Sequence, residues 1–351
     1  MASLAARLRQ APGLLARRLD WRVKEPVHML QRRLQAWKHG RDLRGAQDRT
    51  DRIRAGDVLL FCCLRNEAIR IPAFLDYYRR LGVAHFLFVD NGSGDGFLAD
   101  MTAEEDVSVW TTTSSYREAN YGMHWLNHLL ARFGRDHWCV TCDPDEFLVF
   151  PHCDRRDLVE LGAFLDGERQ RSLNCLMLDM YSAVPVEEAG YAAGQDPLEV
   201  SNRFDPLGYS QVDGLLRDIY TRGGVRRRVF FHDVPEQAPA LNKTPFVKWR
   251  WSYSYFTSMH QLVPCWLNHP HEPERNHTTG VLLHFKYFGL LRDKAAEEMN
   301  RGEHWNDSFE YRRYHDSLER ESLHLDHPGG ATFQGWRQLV DLGLMNLGRW
   351  F

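Results

Sequence analysis

Apolar residues along this chain gather in short runs separated by amphipathic stretches. Val58–Cys63 is an unbroken apolar run of strand length, and His85–Val89, Val107–Trp110, Trp138–Cys142 and Asn174–Met180 read as further strands. Between them the apolar positions take the 3.6-residue period of helices. Phe74, Tyr77, Tyr78 and Leu81 share a face of a predicted helix over 67–81, with Pro72 in its first turns, where proline is tolerated. Met123, Leu126, Leu130 and Phe133 mark a second helix, and Leu158, Leu161 and Leu165 a third. Strands alternating with helices predict an α/β fold with right-handed crossovers and a mainly parallel sheet. Such sheets bind ligands beyond the carboxyl ends of their strands. Polar clusters stand at three of those ends: Arg65-Asn66-Glu67, Asp90-Asn91, and Asp143 with Asp145.

The first 54 residues follow a different pattern. Leu4, Leu8, Leu15 and Leu19 suggest an apolar face interrupted by Pro12-Gly13, and Val27, Leu30, Leu34 and Trp37 continue a helical stripe. Fourteen Lys and Arg against five Asp and Glu give this arm +9 in a chain of net charge −3, so the remainder carries −12. A basic amphipathic helix suits an anionic membrane surface, and equally suits packing on its own domain or on a partner. No continuous apolar stretch marks a secretory signal.

Composition narrows the classes. A chain of 351 residues with 43% hydrophobic and 26% charged residues is globular, not disordered. The net charge argues against a general nucleic-acid binder. The longest uncharged apolar run, Val58–Leu64, falls far short of the about 20 residues of a membrane-spanning helix. Seven irregularly spaced cysteines make a poor disulfide framework, and Cys139 and Cys142 in one strand point to opposite faces. Both observations fit a reducing cytoplasm.

The candidate chemistry lies at the strand ends. The chain has neither a G-x-G-x-x-G after its first core strand nor a G-x-x-x-x-G-K-[ST] phosphate loop. Asp143 and Asp145 lie two apart around Pro144, which places their carboxylates on one side of extended backbone. Such a pair can hold a divalent cation on a diphosphate, or simply cap the segment that follows.

The segment Cys142-Asp-Pro-Asp-Glu-Phe-Leu-Val-Phe-Pro151 resembles the metal-binding stretch of GT-A glycosyltransferases. Leu64-Arg-Asn-Glu-Ala68, Phe74-Leu-Asp-Tyr-Tyr78, Leu81-Gly82 and Val89-Asp-Asn-Gly-Ser93 extend the likeness. Downstream, Asn242-Lys-Thr-Pro245, Lys248-Trp249, Ser258-Met-His260 and Leu283-His-Phe-Lys286 complete it. As a set, over roughly 57–315, they resemble glycosyltransferase family 2 in its branch close to family 92.

The resemblance implies a GT-A domain over 55–320, preceded by the helical arm of 1–54 and followed by a tail over 321–351. It implies a metal-dependent, inverting transfer from a nucleotide sugar, a UDP-sugar being favoured, to a cell-surface glycan or glycolipid. Cys63, Leu64, Arg65, Asn66 and Glu67 with Asp90 and Asn91 take the nucleoside, although many members have Asp-Asp where this chain has Asp-Asn. Asp143 and Asp145 take Mn²⁺ or Mg²⁺, with His260 as a further ligand and His284 as its rival. Lys243, Lys248 and Lys286 offset diphosphate charge. Asp179 is the first candidate for the base, ahead of Glu199 and Asp205. The last two lie in an insertion over 185–240 that is expected on the acceptor side, with the basic turn Arg226-Arg227-Arg228. His269, His271 and His277 read as a loop. Two other readings fit the same residues: a nucleotidyltransferase with a similar acidic site, and a non-catalytic glycan- or partner-binding protein. The expected location is the cytoplasm, either free or, if the arm meets lipid, peripheral on the inner face of the cell membrane.

Overall fold

The computed structural model describes residues 13–268, 276–303, 305–320 and 322–351; Leu4, Leu8, His269 and His271 lie outside them. One sheet of nine strands organises the molecule: β1 (Arg44–Gln47), β2 (Val58–Leu64), β3 (Val83–Asp90), β4 (Val107–Thr111), β5 (Trp138–Thr141), β6 (Glu146–Val149), β7 (Ser172–Asp179), β8 (Asn242–Lys248) and β9 (Gly280–His284). They lie in the order β1-β4-β3-β2-β5-β8-β7-β9-β6. Six run one way, and β1, β6 and β8 run against them. The fold is therefore α/β with a mixed, mostly parallel sheet.

Helices cover both faces: α1 (Leu14–His39), α2 (Ile71–Arg80), α3 (Met123–Phe133), α4 (Leu158–Gly167), α5 (Leu291–Arg301), α6 (Trp305–Arg320) and α7 (Trp336–Asp341). The unbroken apolar run in β2 follows from this. Val58, Leu60 and Cys62 pack with Phe74, Tyr78, Leu161 and Leu165, whereas Leu59 and Phe61 pack with Leu126 and Leu130. Both sets are buried, as expected for a strand covered on two sides. Cys139 and Cys142 fall on opposite faces in the same way, and all seven cysteines are free thiols. Helix α2 starts at Ile71, later than the periodicity suggests, because Pro72 suits the first turn of a helix and not its interior.

Residues 13–54 are built into the domain. Trp21 stacks on His28 at 4.4 Å and meets Phe256 edge-on at 5.2 Å, while Arg32 lies 4.4 Å over the Phe256 ring. Glu25 accepts a 2.5 Å bond from the Cys265 N–H, and Arg18 donates to the Gly214 carbonyl at 2.8 Å. Gly40 passes so close to the His128 ring that a Cβ there would stand 2.2 Å from Nδ1, so only glycine fits. The chain then enters the sheet as β1, antiparallel to β4.

Residues after 320 also join the core. Trp336, Leu339, Leu344, Met345 and Trp350 are buried in the main cluster, and Trp350 stacks on Phe164 at 5.3 Å. No helix among the described residues is long and apolar enough to cross a membrane.

Candidate active site

Three strands that run the common way end at one place. The Cα register sets His284 at the end of β9 beside Asp179 at the end of β7, and beside Glu146 at the start of β6. Asp143 follows the end of β5 directly. Because β6 and β8 run backwards, their first residues stand at the edge where the other strands finish. Reversal thus adds Glu146 and Lys243 to an edge already carrying Asp143, Asp179 and His284.

The side chains there form a continuous charged network. Lys243 Nζ lies 2.9 Å from Asp143 Oδ2 and contacts Glu146 as well. Glu146 accepts a 3.2 Å bond from the Asp143 N–H. Asp145 Oδ2 lies 3.3 Å from His284 Nε2, and the other ring nitrogen of His284 lies 2.6 Å from Asp179 Oδ1. Arg226 grips both oxygens of Asp179, Nη2 at 2.7 Å and Nε at 3.1 Å. Its Nη1 lies 3.6 Å from Glu310, which accepts from Lys286 at 3.1 Å and from Tyr314.

This packing shifts the ionisations. Burial opposes charge on His284, but Asp145 and Asp179 outweigh it and lift its pKa to about 9. Burial would raise the Asp145 carboxyl, yet His284, with Arg70 and Lys286, holds it well below the usual carboxylate range. Asp179 is likewise held down against burial by Arg226 and His284. For Glu146 burial prevails and pushes the carboxyl up to about 7, with Lys243 pulling the other way. Lys243, for its part, is kept charged against burial by Asp143 and Glu146.

Asp145, Glu146 and His284 each offer a ligand atom, all within 4.8 Å of one another. Two carboxylates and an imidazole are a fitting donor set for a divalent cation. The bond that Asp179 accepts from the far nitrogen of His284 is the support that metal-binding histidines usually have.

No protein family matches the chain, and no curated protein matches it. Among solved structures it is similar to the mannosyltransferase PcManGT from Pyrobaculum calidifontis, in complex with GDP-Man and Mn²⁺. The identity is 18%, the TM-score 0.27, and the match covers 47% of each chain, so this chain spans about half the length of that structure.

The histidine beside the acids is His284. His260 instead has Nδ1 held 2.5 Å from the Asn242 carbonyl, and burial followed by the charge of Lys243 pushes its pKa down to about 4. The two expected nucleoside loops adjoin one another. The Asn91 N–H donates to the Leu64 carbonyl at 2.9 Å, Arg65 to the Asn91 carbonyl at 3.0 Å, and the Asn66 N–H to Ser93 Oγ at 3.0 Å. Asp90 accepts from the Ser93 N–H at 2.8 Å, and Cys63 at the end of β2 is half-buried. Helix α5 reaches the same loops, since Glu67 pairs with Lys294 at 2.9 Å and Asn66 donates to Glu297 at 2.6 Å.

Other expected residues lie elsewhere. Lys248 ends β8 at the opposite edge, paired with Trp138 in register and 3.6 Å from Asp166. Glu199 is exposed on the short helix Pro197–Val200. Asp205 is held by Tyr181 at 2.6 Å, Arg228 at 2.9 Å and His327 at 3.1 Å, on the wall of a cavity of about 600 Å³. Two acids of the network, Glu146 and Glu310, carry no expectation from sequence. Glu146 had a signal, a third acid directly after the Asp-x-Asp pair. Glu310 had none, because only tertiary packing brings α6 to Lys286 and Arg226.

Proposed function

We propose that this chain is a metal-dependent glycosyltransferase that moves a sugar from a nucleotide-sugar donor, a UDP-sugar by preference, to a cell-surface glycan or glycolipid hydroxyl with inversion. The observation that carries the reading is the meeting of Asp143, Asp145, Glu146 and His284 at one strand edge. The nucleoside belongs at the loops of Cys63–Glu67 and Asp90-Asn91, and the diphosphate over Asp143 and Asp145. A bound Mn²⁺ or Mg²⁺ would neutralise the charge of the departing nucleoside diphosphate. Lys243 and Lys286 add fixed positive charge at the same edge. Asp179, the first candidate for the base, is held on both oxygens by Arg226 and on one also by His284, so it orients the imidazole as well.

The test is a thermal-shift series with nucleotide sugars, with and without Mn²⁺. A ligand at a hundred times its Kd stabilises the fold by about 2.7 kcal/mol. A rise in Tm that needs both UDP-sugar and Mn²⁺, release of nucleoside diphosphate on turnover, and loss of both in a folded Asp145→Asn variant are expected. Release of pyrophosphate would favour nucleotidyl transfer, and no metal-linked shift with any nucleotide sugar would sink the proposal.

A further inference from the structure

The face that α1 turns outward is apolar from Leu19 to Trp37. Leu19, Val23, Val27, Leu30, Leu34 and Trp37 are each 54–80% exposed. Their spacing of three and four places them on one stripe about 27 Å long, at 1.5 Å per residue. The opposite side of the helix holds it to the domain through Trp21, His28, Arg32 and Ala36, so the stripe is not left open by a helix that has yet to dock. A monomer rarely exposes so long a continuous apolar strip without a partner for it.

The charges beside the stripe indicate the partner. Arg17, Arg22, Arg33, Lys38 and Arg41 are exposed on α1 and just beyond it, with no acidic partner among the described residues. Asp20, the one exposed acid of the helix, is already paired with Lys24 at 2.8 Å. Arg41 lies 3.8 Å over the ring of Trp37, and Arg33 lies 4.2 Å over the ring of Trp251, itself 52% exposed. Tryptophans capped by arginine, at the border between apolar stripe and basic flank, suit the headgroup level of a bilayer. The three-four spacing would also suit a coiled coil with a second copy. That pairing would set basic flanks against basic flanks, with only Asp20, already paired with Lys24, as an exposed acid of the helix to answer them.

We propose that the outward stripe of α1, together with Trp251, docks the protein on an anionic lipid surface, lying in the interface without crossing it. The inference stands on α1 and Trp251 and does not depend on the reading of the active site.

Co-sedimentation of the full chain tests it, with vesicles of phosphatidylcholine and of phosphatidylcholine mixed with phosphatidylglycerol. Binding to the anionic vesicles alone, weakened by salt and accompanied by a blue shift of tryptophan emission, is the expected result. The double change Leu30→Gln with Leu34→Gln should weaken binding about tenfold or more while leaving Tm unchanged, because both side chains are exposed. Arg22→Gln or Arg33→Gln should each weaken it roughly fivefold. No binding by the unaltered chain, or equal binding by the double variant, overturns the proposal. So does a dimer in sedimentation analysis that the double variant turns into monomer, which would assign the face to a second copy.

Discussion

The carboxyl edge of the sheet buries charge, whereas the outer face of α1 exposes apolar surface. Glu146, Asp179, Arg226, Lys243 and His284 are nearly inaccessible, while six large apolar side chains of one helix stand open to solvent. Each region departs from the usual partition in the opposite sense. The physical consequences differ as well. Buried charges must be compensated inside the fold, so the edge is a network in which each group depends on its neighbours. Exposed apolar groups need no compensation inside the fold, so the stripe contributes little to folding and is available for contact with something else. Departures from the ordinary pattern mark function most clearly where the rest of the chain obeys it, and here the sheet core does.

The sharpest break of this comparison is Arg226→Met. Removing the guanidinium strands Asp179, which is nearly fully buried, and takes a cation away from Glu310. Breaking a buried pair by removing one partner costs about 3–5 kcal/mol. Urea unfolding should show a loss of that order, together with loss of turnover. An unchanged midpoint would mean that His284 alone compensates Asp179.

A smaller effect is expected where the two regions' physics meet, at the contact of α1 with α3. His124 is buried there with its ring stacked on His39 at 5.1 Å, and its Nδ1 has no hydrogen-bond partner among the described residues. Burial first, then His39, Arg32 and Lys38, push its pKa down to about 4. In the unfolded chain it titrates near about 6.5. Above that value both states are neutral and it has no pH-dependent effect. Between the two values the unfolded state binds the proton and the folded state does not, so stability falls as pH falls. Denaturation midpoints measured from pH 7 to pH 4 should therefore drop more steeply for the unaltered chain than for His124→Gln. Parallel curves would remove His124 from the account.

What was legible in the sequence divides along similar lines. The parallel strands β2, β3, β4, β5 and β7 were readable because both of their faces are covered, which leaves uninterrupted apolar runs. The reversed strand β6 was not, since Glu146–Val149 is only four residues long and directly follows the acidic turn Asp143-Pro144-Asp145. The Asp143/Asp145 pair was visible as spacing, but the choice between His260 and His284 was not. Motif position ranks His260 first, whereas the register of β9 against β6 and β7 sets His284 beside the acids. Asp179 stood out as an acid at a strand end, but its engagement by Arg226, 47 positions later, is a matter of tertiary packing. The stripe on α1 was legible as periodicity. Which side of the helix would dock was not, because Trp21, His28 and Arg32 hold it by aromatic and cation–π contacts that hydrophobic periodicity does not weigh.

The smallest effect is a matched pair that sharpens the comparison by its near absence on one side. Leu34 on α1 and Leu126 on α3 are leucines in helices of the same domain, one 55% exposed and the other 1%. Leu126→Ala removes packing between α3 and the sheet and should cost about 2–5 kcal/mol, as buried leucine truncations do. Leu34→Ala removes little that folding had buried and exchanges leucine for the best helix former, so its effect should stay within about 0.5 kcal/mol. Chemical denaturation of both variants measures the difference directly. A loss at Leu34 comparable with that at Leu126 would mean that the stripe is already covered in the isolated protein, by a second copy or by another part of the chain. A null result at Leu34, with vesicle binding weakened in the same variant, would separate the surface the fold needs from the surface it presents.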